Sequence, residues 1–142
     1  MVFDGSVRDL EGLSEIKGFN AFVRGFDPTL IRDLMLMGLN TPIRIGRVTV
    51  LPGDVVLAKR QGVTFVPAHL AEEVVRTSEV ISLRDKFGHQ RLREGKYTPG
   101  QIDVAWTNEI EGDFRKWLME NREKLDAPRE TIDELLRAAP GR

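Results

Sequence analysis

The sequence predicts an α/β protein in which short strands come first and helices follow. Residues 2–66 are rich in short apolar and β-branched runs that are bounded by glycine and proline turns, which is typical of strands. From Pro67 onward, apolar residues recur every three or four positions, as they do in amphipathic helices. A chain of 142 residues that is 41% hydrophobic is long enough for one domain with a core. It is also too apolar for a disordered chain.

The composition excludes several classes of protein. The 21 basic and 22 acidic residues leave a net charge of −1, which gives no bulk attraction to nucleic acid or to an anionic membrane. The absence of cysteine excludes disulfides and cysteine-based metal or catalytic sites. No apolar run approaches the roughly 18 residues of a membrane helix, and Asp4 and Arg8 interrupt any apolar signal region. We therefore expect a soluble cytoplasmic protein with no nucleic-acid or membrane partner.

Strand signals crowd the first half of the chain. The run Val55–Ala58 is continuously apolar, which predicts a strand that is buried on both faces. Residues Leu30, Ile31 and Leu34 have helical spacing and predict a short amphipathic helix over Pro28–Gly38. The predicted strands are Val2-Phe3, Asn20–Arg24, Pro42–Ile45, Val48–Val50, Val55–Ala58 and Val63–Val66.

Three helices are predicted in the second half. The first begins at Pro67 and reaches at least Leu83, and the last covers about Pro128–Ala138. Between them, Thr98–Gln101 has the pattern of a capping box, and we expect one helix from there to Asn121. Its apolar stripe is too large to leave in water, so we expect it to contact another subunit or domain. The stripe consists of Ile102, Trp106, Ile110, Phe114 and Trp117.

Candidate chemistry concentrates in the segment Asp4-Gly5-Ser6-Val7-Arg8-Asp9. We predict that the first strand ends here and that Gly5 allows a sharp turn before Arg8 and Asp9. An arginine can hold a carboxylate through two parallel hydrogen bonds, and an aspartate is a hard oxygen ligand for Mg²⁺ or Mn²⁺. The pair could therefore hold a carboxylate substrate beside a metal ion. The alternative is an ordinary surface ion pair.

The other polar groups favour structural interpretations. Pro52-Gly53-Asp54 predicts a turn in which Asp54 bonds to its own backbone. His69 and His89 lack the spacing of a metal-binding pair, and we expect them at the surface or at an interface. Lys59-Arg60 is expected to be a solvated turn, or alternatively an anion site at the mouth of a pocket.

Several segments together resemble the RraA-like family in order and approximate spacing, from residue 2 to about residue 76. The resemblance rests on Val2–Asp9, Phe22–Gly25, Pro42–Val50, Pro52–Val56, Gly62–Pro67 and Leu70–Val74. That family includes 4-hydroxy-4-methyl-2-oxoglutarate aldolases with oxaloacetate decarboxylase activity, and a regulator that binds RNase E. The resemblance implies a swivelling β/β/α fold, a homotrimer and a metal-dependent lyase.

The resemblance also implies roles for individual residues. In catalytic members, the arginine of Gly-x-x-Arg-Asp binds the carboxylate of the 2-oxo acid, and the aspartate holds Mg²⁺ or Mn²⁺. Arg8 would thus be catalytic and substrate-binding, and Asp9 catalytic and metal-binding. Gly5 would shape the substrate-binding loop. The implied reaction cleaves 4-hydroxy-4-methyl-2-oxoglutarate or oxaloacetate to pyruvate.

The sequence departs from the family pattern in two places. The family has a glycine-rich loop with an aspartate upstream of this motif, whereas the motif here begins at Gly5 and no such loop precedes it in the sequence. The turn before Gly62 is acidic in the family and is Lys59-Arg60-Gln61 here. We therefore expect residues 1–76 to be the C-terminal part of an RraA-like core, and residues 77–142 to be a helical extension. Catalysis and stable folding would then require the upstream segment. The alternatives are a non-catalytic regulator of the RNase E inhibitor type and an inactive truncated paralogue.

Overall fold

The computed structural model describes residues 1–33 and 35–138. The internal contacts of the chain separate it into two units, Met1–Ala71 and Glu72–Arg142, which we call unit 1 and unit 2. The predicted division after residue 76 falls inside the longest helix, Ala71–Arg93. Unit 1 contains the sheets and unit 2 is helical, so the predicted α/β class is confirmed.

Unit 1 contains three two-stranded sheets. Strands β1 and β2 pair in parallel across a short helix, whereas β3 pairs with β4 and β5 with β6 in antiparallel hairpins. The elements are β1 (Val2–Val7), α1 (Leu10–Glu15), β2 (Phe22–Phe26), β3 (Ile43–Ile45), β4 (Val48–Val50), β5 (Val55–Lys59) and β6 (Gly62–Val66).

Local turn chemistry explains the hairpin of β3 and β4 and the turn that connects β4 to β5. Gly46 adopts a φ of 58° in the turn between β3 and β4, a left-handed conformation that glycine enters without steric cost. The next turn contains Gly53, and the Asp54 carboxylate accepts the Leu51 N–H at 2.9 Å, as predicted. The strands predicted between residues 42 and 66 are therefore confirmed, apart from small shifts in their ends.

The helix predicted over Pro28–Gly38 is wrong. Residues 28–33 and 35–38 contain no helix, and Leu34, one residue of the predicted stripe, lies outside the described residues. Leu30 and Ile31 are more than half exposed. A short amphipathic helix depends on burying its apolar face, and these side chains remain largely in solvent.

The expected burial of β5 is also wrong. Val55, Val56 and Leu57 are 50%, 47% and 52% exposed, because β5 belongs to a two-stranded hairpin rather than to the middle of a covered sheet. Among the described residues of unit 1, Val50 is the only buried apolar side chain. Unit 1 is thus held mainly by strand pairing and polar contacts.

Unit 2 is a helical unit with one apolar core. Its helices are α2 (Ala71–Arg93), α3 (Pro99–Ile102), α4 (Asn108–Asn121) and α5 (Arg129–Arg137). The core consists of Leu83, Phe87, Tyr97, Ile110, Phe114, Trp117, Leu118 and Ile132. In the part of the chain that is described, no helix is both long enough and apolar enough to cross a membrane.

The single helix expected from residue 98 to Asn121 is two helices. The Thr98–Gln101 capping box is present at the start of α3, where the Thr98 N–H donates to the Gln101 Oε1 at 2.9 Å. The helix ends at Ile102, and Thr107 caps a new helix by accepting the Ile110 N–H. A second cap so soon after the first favours a break that the apolar spacing alone does not reveal.

The apolar stripe was expected to contact another subunit or domain because it is too large to leave in water, but most of it is buried within unit 2. Ile110, Phe114 and Trp117 are less than 5% exposed and pack within unit 2. The ring centroid of Phe87 lies 5.4 Å from that of Phe114 and 5.8 Å from that of Trp117. The stripe is therefore the core of its own unit.

Asp113 joins the end of α2 to α4 and should make the stability of unit 2 dependent on pH. Its carboxylate, 10% exposed, lies 2.8 Å from the Arg91 Nε and 2.9 Å from the Lys96 Nζ. Burial raises the pKa of the Asp113 carboxyl, but hydrogen bonds from Arg91 and Lys96 outweigh burial and hold the pKa below its ordinary value. The stabilisation is therefore present above the unfolded pKa and is lost as the pH falls through the folded pKa.

We expect Asp113→Asn to lower the free energy of unfolding at pH 7 by about 1.5–3 kcal/mol, the usual contribution of hydrogen bonds to charged groups. The difference between variant and parent should shrink as the pH falls below about 4. Urea unfolding at pH 7 and at pH 3 measures both values. A difference that is the same at both pH values would contradict this role of Asp113.

Candidate functional site

Arg8 and Asp9 lie at the carboxyl end of a parallel strand. Strand β1 ends at Val7, and the two residues connect it to α1. Val7 pairs with Phe26 at the end of β2, so both parallel strands end at the same edge. In α/β folds, ligands bind at the carboxyl ends of parallel strands. The predicted loop position of Arg8 and Asp9 therefore matches the structure, and their roles stay predictions.

The Asp9 backbone has an unusual conformation. Asp9 precedes α1 with φ 61° and ψ 44°, in the left-handed region that aspartate enters more readily than most residues. The Asp9 carbonyl accepts the Leu13 N–H at 2.9 Å and so begins the helix. Its side chain is 69% exposed and carries no hydrogen bond to the helix. The conformation thus presents the carboxylate to solvent.

Arg8 and Asp9 form an exposed ion pair. The Arg8 Nε lies 3.2 Å from one carboxylate oxygen of Asp9 and 3.4 Å from the other. The Arg8 side chain is 45% exposed. Exposed pairs of this kind contribute about 0–1 kcal/mol. A ligand that binds either group can therefore replace the pair at little cost.

Gly5 lies within β1, so the predicted sharp turn at Gly5 is wrong. The strand continues through it to Val7. A Cβ built on Gly5 would lie 2.7 Å from the ring of Phe3, so a larger residue at this position would have to displace that exposed ring. Aspartate and glycine are depleted in strands, and the pair Asp4-Gly5 therefore indicated a turn rather than a continuing strand.

Asp4 forms a polar junction that the sequence did not reveal. Its carboxylate accepts the Arg24 Nε–H at 2.5 Å and the Gly46 N–H at 2.6 Å. The hydrogen bond from Arg24, followed by that from Gly46, lowers the pKa of Asp4. One carboxylate thus connects β1, β2 and the turn after β3. The only sequence signal was a charged residue inside an apolar strand.

Asp27 is a second carboxylate that sequence reasoning missed at this edge. It follows β2, and its N–H donates to the Val7 carbonyl at 3.0 Å. Its side chain accepts the Thr29 N–H at 2.8 Å, and hydrogen bonding from Thr29 lowers the pKa of Asp27. The signal available was the Asp-Pro pair after a strand, which is typical of a turn.

The residues at this edge fit a divalent cation that keeps most of its water. Mg²⁺ binds proteins through one or two carboxylates and retains several water molecules, and Asp9 offers one exposed carboxylate. No group of three or more His, Asp or Glu residues suited to a metal exists in residues 1–33 and 35–138. Of the two carboxylates at this edge, Asp27 already accepts the Thr29 N–H, and Asp9 carries no hydrogen bond to its helix, so Asp9 is the candidate ligand.

Two polar groups that line a cleft of unit 2 act in packing. Glu79 accepts a hydrogen bond from the Thr131 hydroxyl at 2.7 Å, and the Lys86 Nζ donates to the Asp126 carbonyl at 3.3 Å. These contacts tie α2 to the segment around α5. His89 is exposed on α2, as expected for a surface residue.

The comparison with protein families identifies the first unit. The family model described as Aldolase/RraA matches residues 1–65, the segment that contains β1 to β5 and all but the last residue of β6. Residues 1–65 are thus similar to the RraA-like family. The RraA-like segment thus includes Gly5, Arg8 and Asp9 together with the Asp4 junction, and the helical core of unit 2 lies outside the match.

Two curated proteins are similar to the chain. An uncharacterized protein of Methanocaldococcus jannaschii is 27% identical over 96 residues, which cover 68% of this chain and 46% of that protein. A protein of Halalkalibacterium halodurans named "Putative 4-hydroxy-4-methyl-2-oxoglutarate aldolase" is 31% identical over 78 residues, 55% of this chain and 37% of that protein. The chain matches less than half the length of both relatives. No solved structure shows a significant match.

Proposed function

We propose that this RraA-like chain is part of a divalent-metal-dependent lyase that cleaves a 2-oxo acid, such as 4-hydroxy-4-methyl-2-oxoglutarate or oxaloacetate, to pyruvate. The observation that carries the proposal is the position of Arg8 and Asp9. Both lie at the carboxyl end of β1, inside the family match. The aldolase name of one relative supports the choice of reaction.

Arg8 is the proposed anchor for the substrate carboxylate. Its Nε contacts Asp9, and its terminal nitrogens make no hydrogen bond within the described residues. A planar guanidinium can hold a carboxylate through two parallel hydrogen bonds. Such a clamp would fix the substrate so that the breaking bond stands perpendicular to the plane of the developing enolate, which lowers the barrier by orientation.

Asp9 is the proposed holder of the cation. When bound, Mg²⁺ or Mn²⁺ supplies a Lewis acid that stabilises negative charge on the 2-oxo oxygen. Asp9 contributes a carboxylate that is exposed and attached to a left-handed backbone. Because Arg8 is its neighbour, the two side chains can act on one small ligand.

A homotrimer and a cytoplasmic location also belong to the proposal, on the strength of the family resemblance alone. Light scattering on the purified protein measures its oligomeric state. The regulator alternative would use the amphipathic helices of residues 99–138 to dock on another protein. Because Ile110, Phe114 and Trp117 are buried in unit 2, that argument no longer favours docking over catalysis.

The direct test is release of pyruvate from oxaloacetate in Mg²⁺. The chain should be assayed alone and with the glycine-rich upstream segment of the family supplied as a second chain. Because Mg²⁺ itself promotes decarboxylation, metal without protein is the baseline. We expect pyruvate above the baseline that EDTA abolishes. Release equal to the baseline under both conditions would overturn the proposed function.

Arg8→Lys should weaken substrate binding more than it slows turnover. Lysine keeps the charge but loses the two-pronged geometry. We expect KM to rise about tenfold, which corresponds to about 1.4 kcal/mol, with a smaller change in kcat. Steady-state kinetics at saturating Mg²⁺ separate the two. An unchanged KM would count against the carboxylate anchor.

A further inference from the structure

We propose that Asp4 and Arg24 are positioning residues, which fix a bulge in β1 and thereby set the direction in which the strand delivers Arg8 and Asp9. The inference rests on the proposed function, because it concerns the same pair. Neither residue needs to contact the ligand. Their role is to hold the strand that leads to Arg8 and Asp9.

Strand β1 contains a bulge ahead of the candidate site. In the parallel pair, Phe3 is opposite Val23 and Ser6 is opposite Gly25. The β1 side advances three residues while the β2 side advances two, so β1 contains one extra residue between Phe3 and Ser6. The bulge therefore falls at Asp4-Gly5. Bulges of this kind re-aim side chains and occur next to active sites.

The extra residue changes the direction of the side chains that come after it. Side chains of a strand alternate between two faces, so a shift of one residue exchanges the faces of all later residues. Ser6 and Val7 come after the bulge and pair with Gly25 and Phe26, and Arg8 and Asp9 follow Val7 directly. The presence or loss of the bulge thus determines to which face of the sheet the last side chains of β1 point, and so the direction in which Arg8 follows.

Asp4 holds the bulge in place. It lies within the bulge and accepts hydrogen bonds from the Arg24 Nε at 2.5 Å and from the Gly46 N–H at 2.6 Å. Gly46 lies 42 residues away, so the bulge is tied to a distant turn as well as to the neighbouring strand. Charge-assisted hydrogen bonds are roughly twice as strong as neutral ones. Asp4 is therefore the residue that locks the register.

The experiment uses the full chain labelled with ¹⁵N. Two variants weaken the junction: Asp4→Ala removes both hydrogen bonds, and Arg24→Lys keeps the charge but alters the donor. Asp54→Asn is the matched control, because Asp54 also accepts a backbone N–H in unit 1 but lies in a turn away from β1. The readouts are the amide signals of Val7–Leu10 and their broadening by added Mn²⁺.

We expect both variants to shift the Val7–Leu10 signals and to weaken Mn²⁺ affinity by about tenfold or more, as loss of supporting contacts does at metal sites. The control should do neither. A contact that merely stabilises the fold would lower Tm but leave these signals unchanged at 25 °C. Unchanged Val7–Leu10 signals in Arg24→Lys would overturn the inference.

Two further comparisons keep the result decisive. The signals of β5 and β6 report whether unit 1 stays folded, and if Asp4→Ala loses them, Arg24→Lys decides the question. If Mn²⁺ fails to broaden the Asp9 signal in the unaltered chain, the proposed metal role fails. The shifts of Val7–Leu10 then still decide whether Asp4 and Arg24 hold the bulge.

Discussion

Replacing Asp9 with asparagine is expected to lower Mg²⁺-dependent pyruvate release by about 100-fold or more. The substitution keeps the size of the side chain and removes the charge that would hold the cation. Lewis-acid stabilisation is worth several kcal/mol, and each ~1.4 kcal/mol changes a rate tenfold. Pyruvate formation followed by coupled reduction measures the loss.

Glu11→Gln is the matched control for Asp9→Asn. It removes the same charge two residues further along, in the first turn of α1. The control should retain the rate of the parent, because the effect belongs to one carboxylate and not to local charge in general. If Asp9→Asn retains the full rate while the protein remains folded, Asp9 is not the metal-holding residue.

Phe87→Ala is expected to cause the largest loss of stability, about 3–5 kcal/mol, the usual cost of truncating a buried phenylalanine. Phe87 is fully buried, and its ring lies 5.2 Å from Trp106 and 5.4 Å from Phe114 between ring centroids. Alanine would leave a cavity where α2 meets α4. Since whole domains are stable by only about 5–15 kcal/mol, much of unit 2 should unfold at room temperature.

The control for Phe87→Ala is Met119→Ala. Met119 lies on α4 and is 60% exposed, so its truncation removes apolar atoms without leaving a cavity. We expect a change within about 0.5 kcal/mol. Urea unfolding followed by circular dichroism compares the two. Equal losses for both variants would show that Phe87 is not central to the core.

The elements that sequence reasoning found are those with strong local signals. The hairpin around Gly46 follows from the conformational freedom of that glycine, and α2 and α5 follow from apolar periodicity over nine or more residues. Helix α1 has only six residues, too few for a helical period to be visible. It was therefore missed, although Asp9 before it is a typical capping residue type.

The features that the sequence could not reveal depend on distant partners. The break between α3 and α4 is hidden because Ile102, Trp106 and Ile110 keep helical spacing across it. The half-exposed Val56 was predicted to be buried, but burial depends on what covers a strand, which the apolar run itself does not specify. Asp4 and Gly46 are 42 residues apart, and no local pattern predicts their hydrogen bond.

The structure shows where Arg8 and Asp9 lie, and their roles stay predictions. Arg8 and Asp9 lie in the connection after β1, as the family pattern implied. The strand that leads to them was predicted to end too early, because Asp4 and Gly5 resemble a turn. A bulge accommodates both residues inside the strand. Asp4 and Gly5, which the sequence indicated as the end of the strand, therefore lie inside β1 and form its bulge.

The location of the two tryptophans decides which spectroscopic signals can report on the site. Trp106 and Trp117 are the only tryptophans of the chain, and both belong to the aromatic cluster of unit 2. Intrinsic fluorescence therefore follows the melting of the helices. Neither β1 nor β2 contains a tryptophan that could report a bound ligand directly. Titrations of the Arg8–Asp9 edge consequently need a reporter in residues 1–71, for which Phe26 of β2, paired with Val7, is a natural position.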